Sequence, residues 1–131
     1  MVDCENEVFT KIAEALRAEF PGIDVSSEFT LTPTSLPHVS IVMADNPIMF
    51  SVMDTAHYEV AIPLFEINIF ADGPTKKSKC KRIGTVIDET LKPYNFRRMA
   101  YTPVDNRYSP SVYRIAARYR VATDGTNFYR R

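Results

Sequence analysis

The sequence is poor in the residues that build most chemical sites. It has four glycines, and Gly22, Gly73, Gly84 and Gly125 never fall close enough together to cradle a phosphate. Its two cysteines, Cys4 and Cys80, match neither a disulfide framework nor a metal-ligand spacing, and both read as reduced thiols. The two histidines, His38 and His57, stand apart, so no Cys/His pair marks a metal site. Asp54 and His57 flank Thr55 at a spacing that could suit a base with an orienting carboxylate, but a surface turn is the simpler reading. No catalytic residue, metal or cofactor is predicted, and the chain reads as a non-enzyme without a small-molecule substrate. No apolar run approaches the roughly 18 residues of a membrane span. The opening MVDCENEVF is acidic where a secretion signal is basic and then apolar. The expectation is a protein made in a cytoplasm and without a membrane partner.

Basic residues are scarce in the first half. Residues 1–75 carry Lys11 and Arg17 against twelve acidic side chains, while residues 76–131 carry fourteen basic and four acidic ones. The halves therefore hold −10 and +10, which cancel to the formal net charge of zero. Three readings are open: neutralisation inside the fold, a nucleic-acid face, or an acidic side that meets a neighbour's basic side.

What is present suits one small domain. Apolar residues make up 45% of the 131, enough for a core. The domain is expected over 1–131, with its core in 5–121 and a flexible C-terminal tail at 122–131. Phe9, Ile12, Ala13, Leu16 and Phe20 follow a 3.6-residue period, which predicts a helix over 5–20 ended by Pro21-Gly22. Cys80, Ile83, Gly84, Ile87 and Leu91 repeat that pattern and predict a second helix over 75–92. Its first turns crowd Lys76, Lys77, Lys79, Lys81 and Arg82 where the helix dipole disfavours cations.

Alternation predicts strands at 23–31, around Val39, Ile41 and Met43, over 57–70, over 96–101 and over 111–121. The phase of 57–70 slips at Pro63, which reads as a bulge in a strand near a sheet edge. Residues 46–56 read as a long loop, yet hold Ile48, Met49, Phe50, Val52 and Met53. Such a loop either folds over its own domain or docks on another chain. The fold class is α+β: a mainly antiparallel or mixed sheet of about five strands with both helices on one face, in the order α-β-β-β-α-β-β.

The C-terminal half is basic and aromatic, with Arg97, Arg98, Arg107, Arg114, Arg118 and Arg120 among Tyr101, Tyr108 and Tyr113. Strand parity, however, sets Arg114, Arg118 and Arg120 opposite the core-facing Tyr113 and Tyr119. This arginine row can pair with Glu59 or Glu66 on a neighbouring strand, meet the acidic half of another subunit, or line a lumen for DNA.

Three segments carry a family resemblance: LPHVSIVMADNP at 36–47, PLFEINIFADGPTKKSKCKRIGTVIDETL at 63–91 and FRRMAYTPVDNRYSPSVYRIAARYRV at 96–121. Together they resemble the small tail-terminator, or tail-completion, proteins of long-tailed bacteriophages and related prophage tails. The similarity spans roughly residues 8–121 and leaves out 46–56 and 122–131. It implies a structural virion protein that forms a ring, usually a hexamer, on the completed tail tube. The implied partners are further copies of itself, the tail tube protein and the head connector, with possible passing contact to DNA. The implied place is the head–tail junction of a virion assembled in a bacterial cytoplasm. The alternatives are a stopper-type neck protein or a small nucleic-acid-binding domain.

Overall fold

Asp24–Ser26 forms a short strand, β1, that runs parallel to β2, His38–Asp45. The computed structural model describes residues 1–52, 58–105 and 110–129. Strand β2 pairs antiparallel with β5, Leu64–Ala71, which pairs with β7, Tyr113–Arg120, which in turn pairs with β6, Arg97–Val104. The main sheet is therefore mixed and five-stranded, in the order β1-β2-β5-β7-β6. A second, four-stranded sheet joins β3 (Ile48–Val52), β4 (Tyr58–Ala61), β8 (Ala122–Thr123) and β9 (Phe128–Tyr129). The chain is a single α+β domain, as its patterning predicts.

Helix α1 covers Glu5–Glu19 and α2 covers Lys76–Leu91. Both lie on one face of the five-stranded sheet. Ile12, Leu16, Ile83, Ile87 and Leu91 share a buried cluster with Val39, Ile41, Phe65, Ile67, Ile69, Ile115, Ala117 and Tyr119. The strand residues in this cluster all have one parity, so period-two geometry turns them to the helices. Phe9, Phe20 and Tyr113 are only partly buried at its margin, while Val8 joins the α1 stripe. The helices are antiparallel: Arg82 in the first half of α2 lies over the ring of Phe20, just past the end of α1, and Lys11 in the first half of α1 lies over Tyr94, beyond the end of α2.

Four expectations change. The first predicted strand shrinks to β1, and Phe29 and Leu31 beyond it are 43% and 38% exposed. The slip at Pro63 is not a bulge. At Ile62–Pro63 the chain leaves the small sheet and enters the main one, which reverses the parity facing the core. Strand β5 is also not at an edge, since β2 and β7 flank it. Part of the supposed loop 46–56 is β3, paired with β4.

The expected loose tail contains β8 and β9. Ala122 and Thr123 are buried, and Phe128 packs against Tyr94 and Phe96. Asp124 ties the turn between them by accepting from the Thr126 and Asn127 N–H groups and the Tyr129 hydroxyl. Those donors hold its carboxyl far below the usual carboxylate range, the Asn127 N–H foremost.

Candidate functional site

The surface offers three features that another molecule could recognise. The first is the outer edge of β3. Sheet edges invite other chains, and proteins guard them with charge, proline, bulges or brevity. The main sheet is guarded at both edges. Strand β1 has three residues, and β6 carries Arg97, Arg98, Pro103 and a register shift between Arg98 and Ala100. In the small sheet, β9 has two residues. Strand β3, IMFSV, has five residues and neither charge nor proline, though its register with β4 shifts between Ile48 and Phe50. Ile48 and Met49 are 59% and 51% exposed. Of the other predicted interface residues, the Phe50 and Val52 side chains and the whole of Met53 lie outside the described residues, as do Asp54 and His57.

The second feature is the arginine row on the sheet face away from the helices. Its members have different surroundings. Arg114 donates from Nε and Nη2 to Asn68 Oδ1, at 3.0 and 2.8 Å. Its guanidinium also lies over the Phe29 ring at 5.1 Å and the Phe70 ring at 5.6 Å. The segment after β1 folds across this part of the face: Ser40 Oγ donates to the Glu28 carbonyl, and His38, Ser40, Asn68 and Phe70 are buried. Arg118 sits directly across from Glu66 and pairs with it at 3.3 Å. Arg120 lies between Leu64 and Arg97 in register and forms no ion pair among the described residues. Glu59 is in the small sheet, where it accepts from the Val2 N–H. Arg107 and Tyr108 lie outside the described residues.

The third feature is the cationic start of α2. Thr75 occupies the N-cap without a side-chain bond, and the first turn holds no acid. Lys77, Lys81 and Arg82 are exposed. Among the described residues, none of the five cations from Lys76 to Arg82 forms an ion pair. Lys76 donates to the Ser111 carbonyl, and Lys77 lies over the Tyr113 ring.

One polar cluster escaped sequence reasoning. Parallel pairing sets Asp24 beside His38, and the His38 Nδ1 and Asp24 Oδ2 atoms meet at 2.8 Å. Both residues line a surface cavity of about 490 Å³ together with Thr30, Thr32 and Thr34. The buried His38 Nε2 has no hydrogen-bond partner among the described residues. The two residues are fourteen apart in sequence, and only the pairing of β1 with β2 joins them.

For covalent chemistry the groups are poorly placed. Burial pushes the Cys4 thiol up to about 11 and the Cys80 thiol up to about 12, so both stay protonated and weakly nucleophilic near neutral pH. Among the described residues no group of three or more His, Cys, Asp or Glu side chains is arranged to hold a metal ion.

The fold is shared with a chain of known structure. A chain from the virion of a native gene transfer agent particle is similar in structure, with a TM-score of 0.61. The likeness covers 87% of this chain and 92% of the other, at 15% sequence identity. At that identity it is a likeness of fold. No family model and no curated protein matches the sequence. No described helix is long and apolar enough to cross a membrane.

Proposed function

We propose that the chain is a structural virion protein, a tail terminator whose ring caps the tail tube and joins it to the head connector. One observation carries this reading: the fold matches a virion chain over nearly the full length of both. The sequence resemblance to tail-terminator proteins supplies the narrower role. In this reading the β3 edge, which carries no charge and no proline, meets a ring neighbour or the uppermost tube subunit, where Met and large apolar residues suit the core of an interface.

The test is direct. The purified protein, added to growing tail tubes, should stop elongation and appear by electron microscopy as a ring on one tube end. Persistent monomers with and without tubes would sink the proposal. A protein that binds the head connector but leaves tube length unchanged would instead be a stopper-type neck component.

A further inference from the structure

Strands β6 and β7 carry five arginines, and three of them have partners within the chain. Arg98 pairs with Asp88 of α2 at 3.7 Å, Arg118 pairs with Glu66 at 3.3 Å, and Arg114 donates to Asn68. The other two, Arg97 and Arg120, stand directly opposite each other in the register of β6 with β7. Arg98 reaches the helix face and Tyr119 is in the core, so alternation turns Arg97 and Arg120 to the open face. Like charges directly opposite on neighbouring strands repel. Neither arginine has an ion pair among the described residues. Glu66, diagonal to Arg120, is paired with Arg118. The acid on the same row, Asp45, lies beyond Leu64, two strands and about 10 Å from Arg120 by strand spacing. Edge protection accounts for a charge on the outer strand β6. It does not account for Arg120, because β5 and β6 flank β7.

We infer that Arg97 and Arg120 bind the phosphate backbone of a nucleic acid without reading its sequence. Both repelling cations gain from an anion held between or over them, and the chain supplies none. The open face gives a broad partner room at this end. The segment after β1 covers only the far end, at Arg114 and Phe70. Between the two ends, Ala100, Thr102 and Ala116 present short side chains. Arg97 is exposed and Arg120 half-buried. One carboxylate is filled by a single guanidinium fork. Two forks side by side suit a run of phosphates, in which each arginine takes its own and the exposed Arg118 reaches a third. The chain has no net charge, so nothing steers a polyanion from afar, and the contact is local and salt-sensitive. It goes beyond the terminator reading and does not depend on it.

The experiment follows the fluorescence anisotropy of a labelled, random-sequence DNA duplex titrated with the full-length chain over a range of salt. Unrelated sequences should bind equally well. Log affinity against log salt should fall with a slope of about −2 to −3, set by two or three phosphates. Arg97→Gln/Arg120→Gln should lose about tenfold or more in affinity at low salt and flatten that slope by about 2. Its urea midpoint should hold or rise, since a repulsion is gone, whereas an arginine pair that served the fold would lower it. Lys77→Gln/Lys81→Gln, at the start of α2, should bind like the unaltered protein. No duplex binding by the unaltered protein at low salt overturns the inference, as does unchanged binding by the arginine variant. If the lysine variant loses the affinity instead, the contact belongs to α2 and the inference fails. If the arginine variant keeps its DNA affinity but loses self-association or attachment to tail tubes, the pair meets a protein's carboxylates. The inference then fails while the terminator reading stands.

Discussion

Arg114 on β7 reaches diagonally across to Asn68 on β5 and gives both its Nε–H and a terminal Nη2–H to the same amide oxygen. Asn68 is fully buried, and the guanidinium over it is flanked by Phe29 and Phe70. This arrangement ties the segment after β1 onto the sheet. Arg114 therefore has a structural task that its strand-mates Arg118 and Arg120 lack.

Replacing Arg114 with alanine should cost about 1.5–3 kcal/mol, the range for hydrogen bonds to a charged group, with the Asn68 amide oxygen left unpaired in the interior. Arg114→Lys should recover little, because an ammonium offers no planar fork and no stacking surface. Urea unfolding measures both. Unchanged stability with lost assembly would move Arg114 to an interface.

Arg118 should behave differently. Its pair with Glu66 joins direct cross-strand neighbours, and the arginine side chain is 55% exposed. Arg118→Glu should lower stability by no more than about 1 kcal/mol, and Glu66→Arg in the same chain should restore it. A double-mutant cycle with no coupling would remove the pair from the account.

Gly84 makes a close approach. A Cβ there would collide with the Tyr101 hydroxyl and come within 2.9 Å of Cε2 of the ring. Alanine normally improves a helix by about 1 kcal/mol over glycine. In α2, Gly84→Ala should instead destabilise by about 1–3 kcal/mol through overpacking. Tyr101→Phe removes the nearest atom and should recover part of the loss. A stabilised Gly84→Ala protein would mean that Tyr101 swings aside freely.

The sequence shows Gly84 as a packing glycine in a helix but cannot show that its partner is Tyr101, two elements away. The same division holds across the fold. Both helices were legible because Ile12, Leu16, Ile83 and Ile87 repeat at a local period. Strand β7 was legible because Ile115, Ala117 and Tyr119 alternate. Strand β3 was not, because IMFSV is apolar at nearly every position and shows no alternation. The change of sheet at Pro63 left only a phase slip, which a bulge produces equally well. The Asp24–His38 contact left no local signal because it depends on a parallel pairing across fourteen residues.

Cys80 sets a pH dependence. Its folded thiol is pushed up to about 12 from an ordinary 9.0, chiefly by burial. Below about pH 9 both states are protonated and its contribution to stability is fully present. As pH rises from 9 toward 12 the unfolded thiol ionises while the folded one does not, so stability falls through that window. Cys4 and Tyr119, also raised mainly by burial, act in the same direction. Urea midpoints on either side of about pH 9 should show the decline, and Cys80→Ala should make it shallower. An identical slope in that variant would assign the effect to the other groups.

The exposed start of β3 separates folding from assembly. Ile48 and Met49 are more than half exposed, so they contribute little to the domain's own core. Surface substitutions at such positions usually change stability by no more than about 0.5 kcal/mol. Ile48→Lys/Met49→Lys should therefore unfold at nearly the same urea concentration as the unaltered protein. Against another chain, however, the same lysines would bring two charges into an apolar contact and put charge on an edge that now has none. The variant should consequently remain a folded monomer that neither forms rings nor caps tubes. A variant that loses its fold would show that β3 is held by its own domain. One that caps tubes normally would show that this edge meets nothing in the particle.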